Sequence, residues 1–271
     1  MNSPLVSTHN SSQSTQQFYS FLQEEYTQVN GKEEREDRSF IMIYSLEPVQ
    51  EFNKVHWETF RTQYWSTRMS DSEKALRKQL SLIISDLQLI LTPEGKIHDL
   101  VNLSEIQKKA EQIIIKLSKN YIGNRAEKGF QAYRNFYSNK KHIISSLYSY
   151  NHFGLLLSSF YEEVYKTKNA NLMDNIIFTI EEQRKINNAK IKISGKLIEQ
   201  HDLSDLHESA KLSGIKVLKG DIPKLEKYDG IFYLRPDGFI KSSSLSIIFS
   251  FGENYKKTID YTLNAISHEE I

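Results

Sequence analysis

Hydrophobic positions change their spacing several times along the chain. The run FIMIY, starting at Phe40, predicts a strand, and Val49 to Trp65 predicts a second extended stretch carrying Trp57, Phe60, Tyr64 and Trp65. Helical spacing then takes over. Ser70 and Glu73 form a capping-box pair, followed by Leu76, Leu80, Ile83, Ile84 and Leu87. Ser104 and Gln107 repeat that pair ahead of Ile106, Ala110, Ile113, Ile114 and Leu117, with Gly123 as the expected stop. Two more helices are predicted, over 125–138 and 140–166, the second burying Ile143, Leu147, Leu157, Tyr161 and Val164.

After residue 168 the period shortens to two. NIIFTI and KIKISGKLI read as strands, and a short helix with Asp202 as cap turns Leu203, Leu206 and Ala210 inward before Gly214. Leu245, Ile247, Phe249 and Phe251 then alternate with serines, and Ile259, Tyr261, Leu263 and Ala265 alternate with Thr258, Asp260, Thr262 and Asn264. Such one-sided alternation predicts antiparallel strands with a single buried face. LTPEGKI at Leu91 and LRPDGFI at Leu234 share a Pro-acid-Gly turn between apolar segments. Proline fixes the first turn position and glycine takes the positive φ, so both read as hairpins and not as binding loops.

The resulting expectation is an α+β chain of three parts. Residues 1–37 form a mobile N-terminal arm, polar apart from FYSFLQEEY; residues 38–168 a helix-rich α+β domain with a β-hairpin; and residues 169–271 an antiparallel β-rich domain with one short helix. A length of 271 residues suits two modest domains.

Composition narrows function mainly by exclusion. A net charge of +1 gives no general attraction to nucleic acid or anionic lipid, so either role would need a local patch. The absence of cysteine excludes disulfides, thiolate metal sites and cysteine nucleophiles, and fits a reducing compartment. The first residues lack a basic, apolar leader, and runs such as FGLLLSSF fall well short of the roughly 20 residues that span a bilayer. A cytoplasmic location is expected. The glycine-rich phosphate loops, the G-x-S-x-G elbow and the H-E-x-x-H zinc motif are all missing, and no cofactor or metal is expected.

Three clusters remain. On a helix, His201, Asp205 and Glu208 would share a face at i, i+4 and i+7, an arrangement that can present one imidazole and two carboxylates to a metal or a substrate. Capping by Asp202 and the helix macrodipole are the plainer account of these acids and need no metal. Lys119, Arg125, Lys128, Arg134, Lys140 and Lys141 interleave with Tyr121, Phe130, Tyr133, Phe136 and Tyr137, a composition that neutralises phosphates and stacks bases. Phe130, Tyr133 and Tyr137 also fall on one helical face, which makes core with a basic rim the plainer account. Trp57, Phe60, Tyr64 and Trp65 are either a protein-binding surface or core.

The order hairpin, NLSEI, NYIG and finally YDGIFYLRPDGFIKSSSLSIIFSF resembles an uncharacterised bacterial family associated with contractile, type VI-like secretion loci. That resemblance spans most of residues 40–266 and implies an accessory role as adaptor, chaperone, effector or immunity protein. The expected function is therefore non-enzymatic binding of another protein through open sheet edges. The alternatives are a secreted toxin acting through the His201 cluster, and a nucleic-acid binder through residues 119–142.

Overall fold

The computed structural model describes residues 15–93, 95–148, 155–156, 165–173, 176–198, 203–236 and 239–270. Alternating side chains in long segments build eleven strands. They are β1 (Thr15–Val29), β2 (Lys32–Val49), β3 (Phe52–Ser66), β4 (Asp86–Leu91), β5 (Ile97–Leu100), β6 (Tyr165–Met173), β7 (Ile176–Asn187), β8 (Lys190–Ile198), β9 (Pro223–Leu234), β10 (Ile240–Phe251) and β11 (Tyr255–Ile266). All eleven join one antiparallel sheet in the order β5-β4-β3-β2-β1-β11-β10-β9-β8-β7-β6. Five helices accompany them among the described residues: α1 (Asp71–Ser81), α2 (Leu103–Ser118), α3 (Asn124–Ser138), α4 (Lys140–Leu147) and α5 (Leu203–Leu212). The fold is α+β and dominated by its sheet.

This topology revises the expected division. Residues 15–37, read from sequence as a mobile arm, form β1 and the start of β2, and β1 lies in the middle of the sheet between β2 and β11. The expected boundary at 168 falls inside β6, and the supposed helix-rich part contributes β2 to β5 to the same sheet as the C-terminal strands. The joining ladder runs from the Phe18 and Ile266 pair to the Val29 and Tyr255 pair.

One face of the sheet is apolar. Tyr19 and Phe21 on β1, Phe40 and Met42 on β2, Val55 and Trp57 on β3, Leu87 and Leu89 on β4, and Leu245, Ile247 and Phe249 on β10 are buried in one continuous core. Leu80 of α1, Ile106, Ala110 and Ile114 of α2, Phe130 and Tyr137 of α3, and Ile143 and Leu147 of α4 complete it. The C-terminal strands curl. The Tyr255 hydroxyl on β11 donates to the Leu172 carbonyl on β6 at 2.9 Å, although these strands stand five ladder steps apart, about 24 Å in a flat sheet.

Local signals were read unevenly. Ser70 and Glu73 do form a capping box on α1, and Thr92 and Gly95 close the β4–β5 hairpin with Gly95 at φ 76°. Ser104 and Gln107 do not repeat the box. Asn102 precedes α2, and its amide instead bridges the sheet, accepting from Gln88 N–H at 3.0 Å and donating to the Asp86 carbonyl at 3.2 Å. Gly123 does not stop α2, which ends at Ser118; it leads into α3. The helix expected over 140–166 ends at Leu147, and Leu157, Tyr161 and Val164 lie outside the described residues. In α5, Leu206 and Ala210 are buried while Leu203 is exposed. Asp202 lies outside the described residues, as do Asp237 and Gly238 of the second turn.

Candidate functional site

The apolar face is interrupted by a polar strip where β2, β1 and β11 run side by side. Gln23 and Glu25 on β1 occupy the same face as Tyr19 and Phe21, and their ladder partners are Arg38 and Glu36 on β2 and Tyr261 and Ile259 on β11. Over the β2 and β3 part of this strip, α1 and α3 leave a cleft of about 430 Å³. Sheet residues Gln23, Glu36, Arg38 and Tyr64 floor it. Met69, Arg77, Leu80, Ser81 and Ile84 form one wall, and Tyr133 and Tyr137 of α3 form the other.

Strand alternation puts Arg38 there. Residues 38, 40, 42 and 44 share the inner face, so the Arg38 guanidinium lies over Phe40 at 5.2 Å and over its cross-strand neighbour Tyr64 at 5.5 Å. Its Nε is buried and has no hydrogen-bond partner among the described residues. The nearby carboxylates are taken by other cations. Glu36 accepts from Arg77 at 3.4 Å, Glu25 faces the buried Lys257 at 2.8 Å, and Asp37 and Glu24 hold Arg35 on the opposite face.

Of the cleft tyrosines, Tyr137 is buried and Tyr133 keeps part of its surface exposed. Burial pushes the Tyr137 hydroxyl well above the ordinary phenol range, and Tyr133 moves the same way, opposed by the Arg77 charge. Both stay protonated at neutral pH and so offer O–H donors to the cleft. Their rings stack at 6.3 Å with planes 20° apart, which presents a flat aromatic wall.

The residues singled out from sequence are dispersed by the fold. Trp57 is buried against Tyr44 at 5.8 Å, Tyr64 lines the cleft, Phe60 is partly buried, and Trp65 is exposed on the outer face. Alternation, with a bulge marked by Arg61 at φ 52°, sends the four aromatics to both sides of β3. Among the basic residues, Arg134 chelates Glu111 at 2.8 and 3.1 Å and Lys140 pairs with Asp99, while Lys119, Arg125, Lys128 and Lys141 are exposed. Phe130 and Tyr137 between them are buried. Asp205 and Glu208 are exposed on α5, and His201 lies outside the described residues. His207 on the same helix sits 2.8 Å from the Asp221 carbonyl. Among the described residues no group of three His, Asp or Glu side chains is placed to hold a metal ion.

Arg38, Arg77 and Gln23 were missed from sequence. The signal for Arg38 was present, since it continues the alternation of Phe40, Met42 and Tyr44 by one step.

No known family profile matches the chain, and no curated protein is similar to it. Among solved structures, a lipovitellin described for its lipid–protein interactions aligns over 93% of this chain with 9% identity and a TM-score of 0.40; the chain spans a quarter of that protein's length. A DUF1329 family protein from Desulfovibrio piger aligns over 94% of this chain and 88% of its own, with 10% identity and a TM-score of 0.17. No helix among the described residues is long and apolar enough to cross a membrane.

Proposed function

We propose that the protein is a non-enzymatic binding protein whose ligand, a small molecule with an apolar body, occupies the cleft between the inner face of β1 to β3 and helices α1 and α3. The observation that carries this reading is the cleft's composition. Leu80, Ile84, Met69 and three tyrosines share its lining with Gln23, Glu36, Asp37, Arg38, Arg77 and Ser81, in a volume within the range of about 300 to 1,000 Å³ typical of ligand sites. Binding is favoured over turnover because Glu36, a carboxylate of the cleft, is engaged by Arg77. Titration of the full chain with the neutral aromatic probe 2-naphthalenemethanol tests it. Saturable binding at one site, lost in Ser81→Trp where an indole fills the cleft, is expected. Binding that ignores this substitution contradicts the reading.

A protein partner is a second reading, supported by the outer face. Tyr26 is 40% and Trp65 47% exposed, and the Arg35 guanidinium lies over both rings at 5.0 and 5.3 Å. Trp, Tyr and Arg together are the residues that dominate interface energetics. On the sheet edges one backbone group of each outer strand is already taken by a side chain: Ile97 N–H on β5 donates to the Tyr148 hydroxyl at 2.7 Å, and the Leu172 carbonyl on β6 accepts from Tyr255. In this reading the chain is a cytoplasmic adaptor or immunity-type accessory of a bacterial secretion locus. A partner captured by tagged protein at moderate salt and lost with Trp65→Ala would support it, and capture unaffected by that change would remove the outer face from consideration.

A further inference from the structure

Resting on the ligand cleft above, we propose that its occupant is an aromatic carboxylate whose anionic group is bound by Arg38. The pairing pattern leads there. Arg77 is paired with Glu36, Lys257 with Glu25, and Arg35 with both Glu24 and Asp37, while Arg38 forms no direct ion pair among the described residues. An arginine cannot shed its proton to escape the penalty of partial burial, so its charge calls for a counter-anion.

Geometry makes that anion a planar carboxylate. The guanidinium is held over Phe40 and Tyr64, and its buried Nε is a donor with no acceptor. A guanidinium offers parallel N–H groups in one plane, matching the two oxygens of a carboxylate. The rest of the ligand meets flat surfaces. The stacked Tyr133 and Tyr137 rings line the cleft together with Leu80, Ile84 and Met69, and sulfur and aromatic surfaces of this kind favour an aromatic body. The protonated tyrosines add donors without adding negative charge, and the two carboxylate residues that border the cleft are already paired, Glu36 with Arg77 and Asp37, whose side chain lies on the outer face, with Arg35.

The test is calorimetric titration of the full chain with 2-naphthoate and with neutral 2-naphthalenemethanol. Wild type is expected to bind the naphthoate tighter by about tenfold to a hundredfold, the usual worth of a charged hydrogen bond. Arg38→Met is expected to remove that preference, so that the two probes bind the variant within about twofold of each other. Should Arg38→Met fail to fold, Arg38→Lys keeps the charge but not the planar fork and is expected to lose several-fold in naphthoate affinity; unchanged affinity in the lysine variant overturns the assignment. Equal binding of both probes to wild type, or a preference that survives Arg38→Met, overturns the inference and leaves the cleft standing. If neither probe binds, the cleft itself is refuted as a ligand site.

Discussion

The Tyr228 hydroxyl on β9 donates to Glu182 on β7 at 2.8 Å, passing over the intervening strand β8 at Gly195. Glu182 stands opposite Gly195 in the β7–β8 ladder, and Arg184, two residues along the same strand, donates to its other oxygen at 2.7 Å. This buried carboxylate, guanidinium and phenol lie where the curled half of the sheet is otherwise apolar, so all three depend on one another.

Gly195 is there for space. A Cβ at this position would stand 2.5 Å from a Tyr228 ring carbon and 2.8 Å from Ile180 Cγ2. Gly195→Ala is expected to destabilise the protein by about 1 to 3 kcal/mol, as overpacking does. Denaturant unfolding measures it, and a neutral effect would mean that Tyr228 is free to move aside.

Removing Arg184 should cost more. Arg184→Met leaves the buried Glu182 charge without its guanidinium, with an expected loss of about 3 to 5 kcal/mol. In a double-mutant cycle, adding Glu182→Gln to Arg184→Met should recover part of that loss. Strict additivity would show that the pair is not coupled.

Residues 15–29 make a sharper test of the fold. Phe21 stacks on Phe40 at 4.5 Å with planes 19° apart and is buried in the core. Phe21→Ala is expected to cost about 3 to 5 kcal/mol, the range for buried Phe truncations. Were this segment a mobile arm, the substitution would leave the unfolding midpoint unchanged.

The surface pair on the helices predicts a pH dependence. Hydrogen bonds from Arg134 hold the Glu111 carboxyl below its ordinary value. A depressed folded-state pKa contributes stability above the unfolded value, near 4.3, and that contribution disappears as pH falls through the folded value. The difference in melting temperature between wild type and Glu111→Gln should therefore be constant above about pH 5 and shrink toward zero below it. It will be small, since half-exposed pairs contribute roughly 0.2 to 1 kcal/mol. A difference that grows in acid would contradict the assignment.

Local patterning made the late strands and the first helix visible. The alternation of Leu245 to Phe251 and the Ser70 box read correctly because ladder period and cap chemistry are short-range properties. The first strand was hidden for a physical reason. On its inner face Tyr19 and Phe21 are followed by Gln23 and Glu25, which serve the polar strip and not the core, so the segment reads as too polar to be ordered. Its partner β11 lies at the other end of the chain, with Phe18 facing Ile266, and no local pattern encodes that pairing. The cleft was hidden by the same non-locality. Tyr64 was singled out with three aromatics that alternation sends elsewhere, and Arg38 was legible only as an inward position once β2 was known to start before Phe40.

The most direct measurement on the central claim is photolabelling of the full chain with 4-benzoylbenzoate, an aromatic carboxylate that inserts into nearby C–H bonds, followed by peptide mapping. Label confined to peptides containing Met69, Leu80 to Ile84 and Tyr133, and lost in Ser81→Trp, is the predicted result. Label spread over other surfaces, or undiminished when Ser81→Trp fills the cleft, would contradict a ligand site between the sheet and its helices.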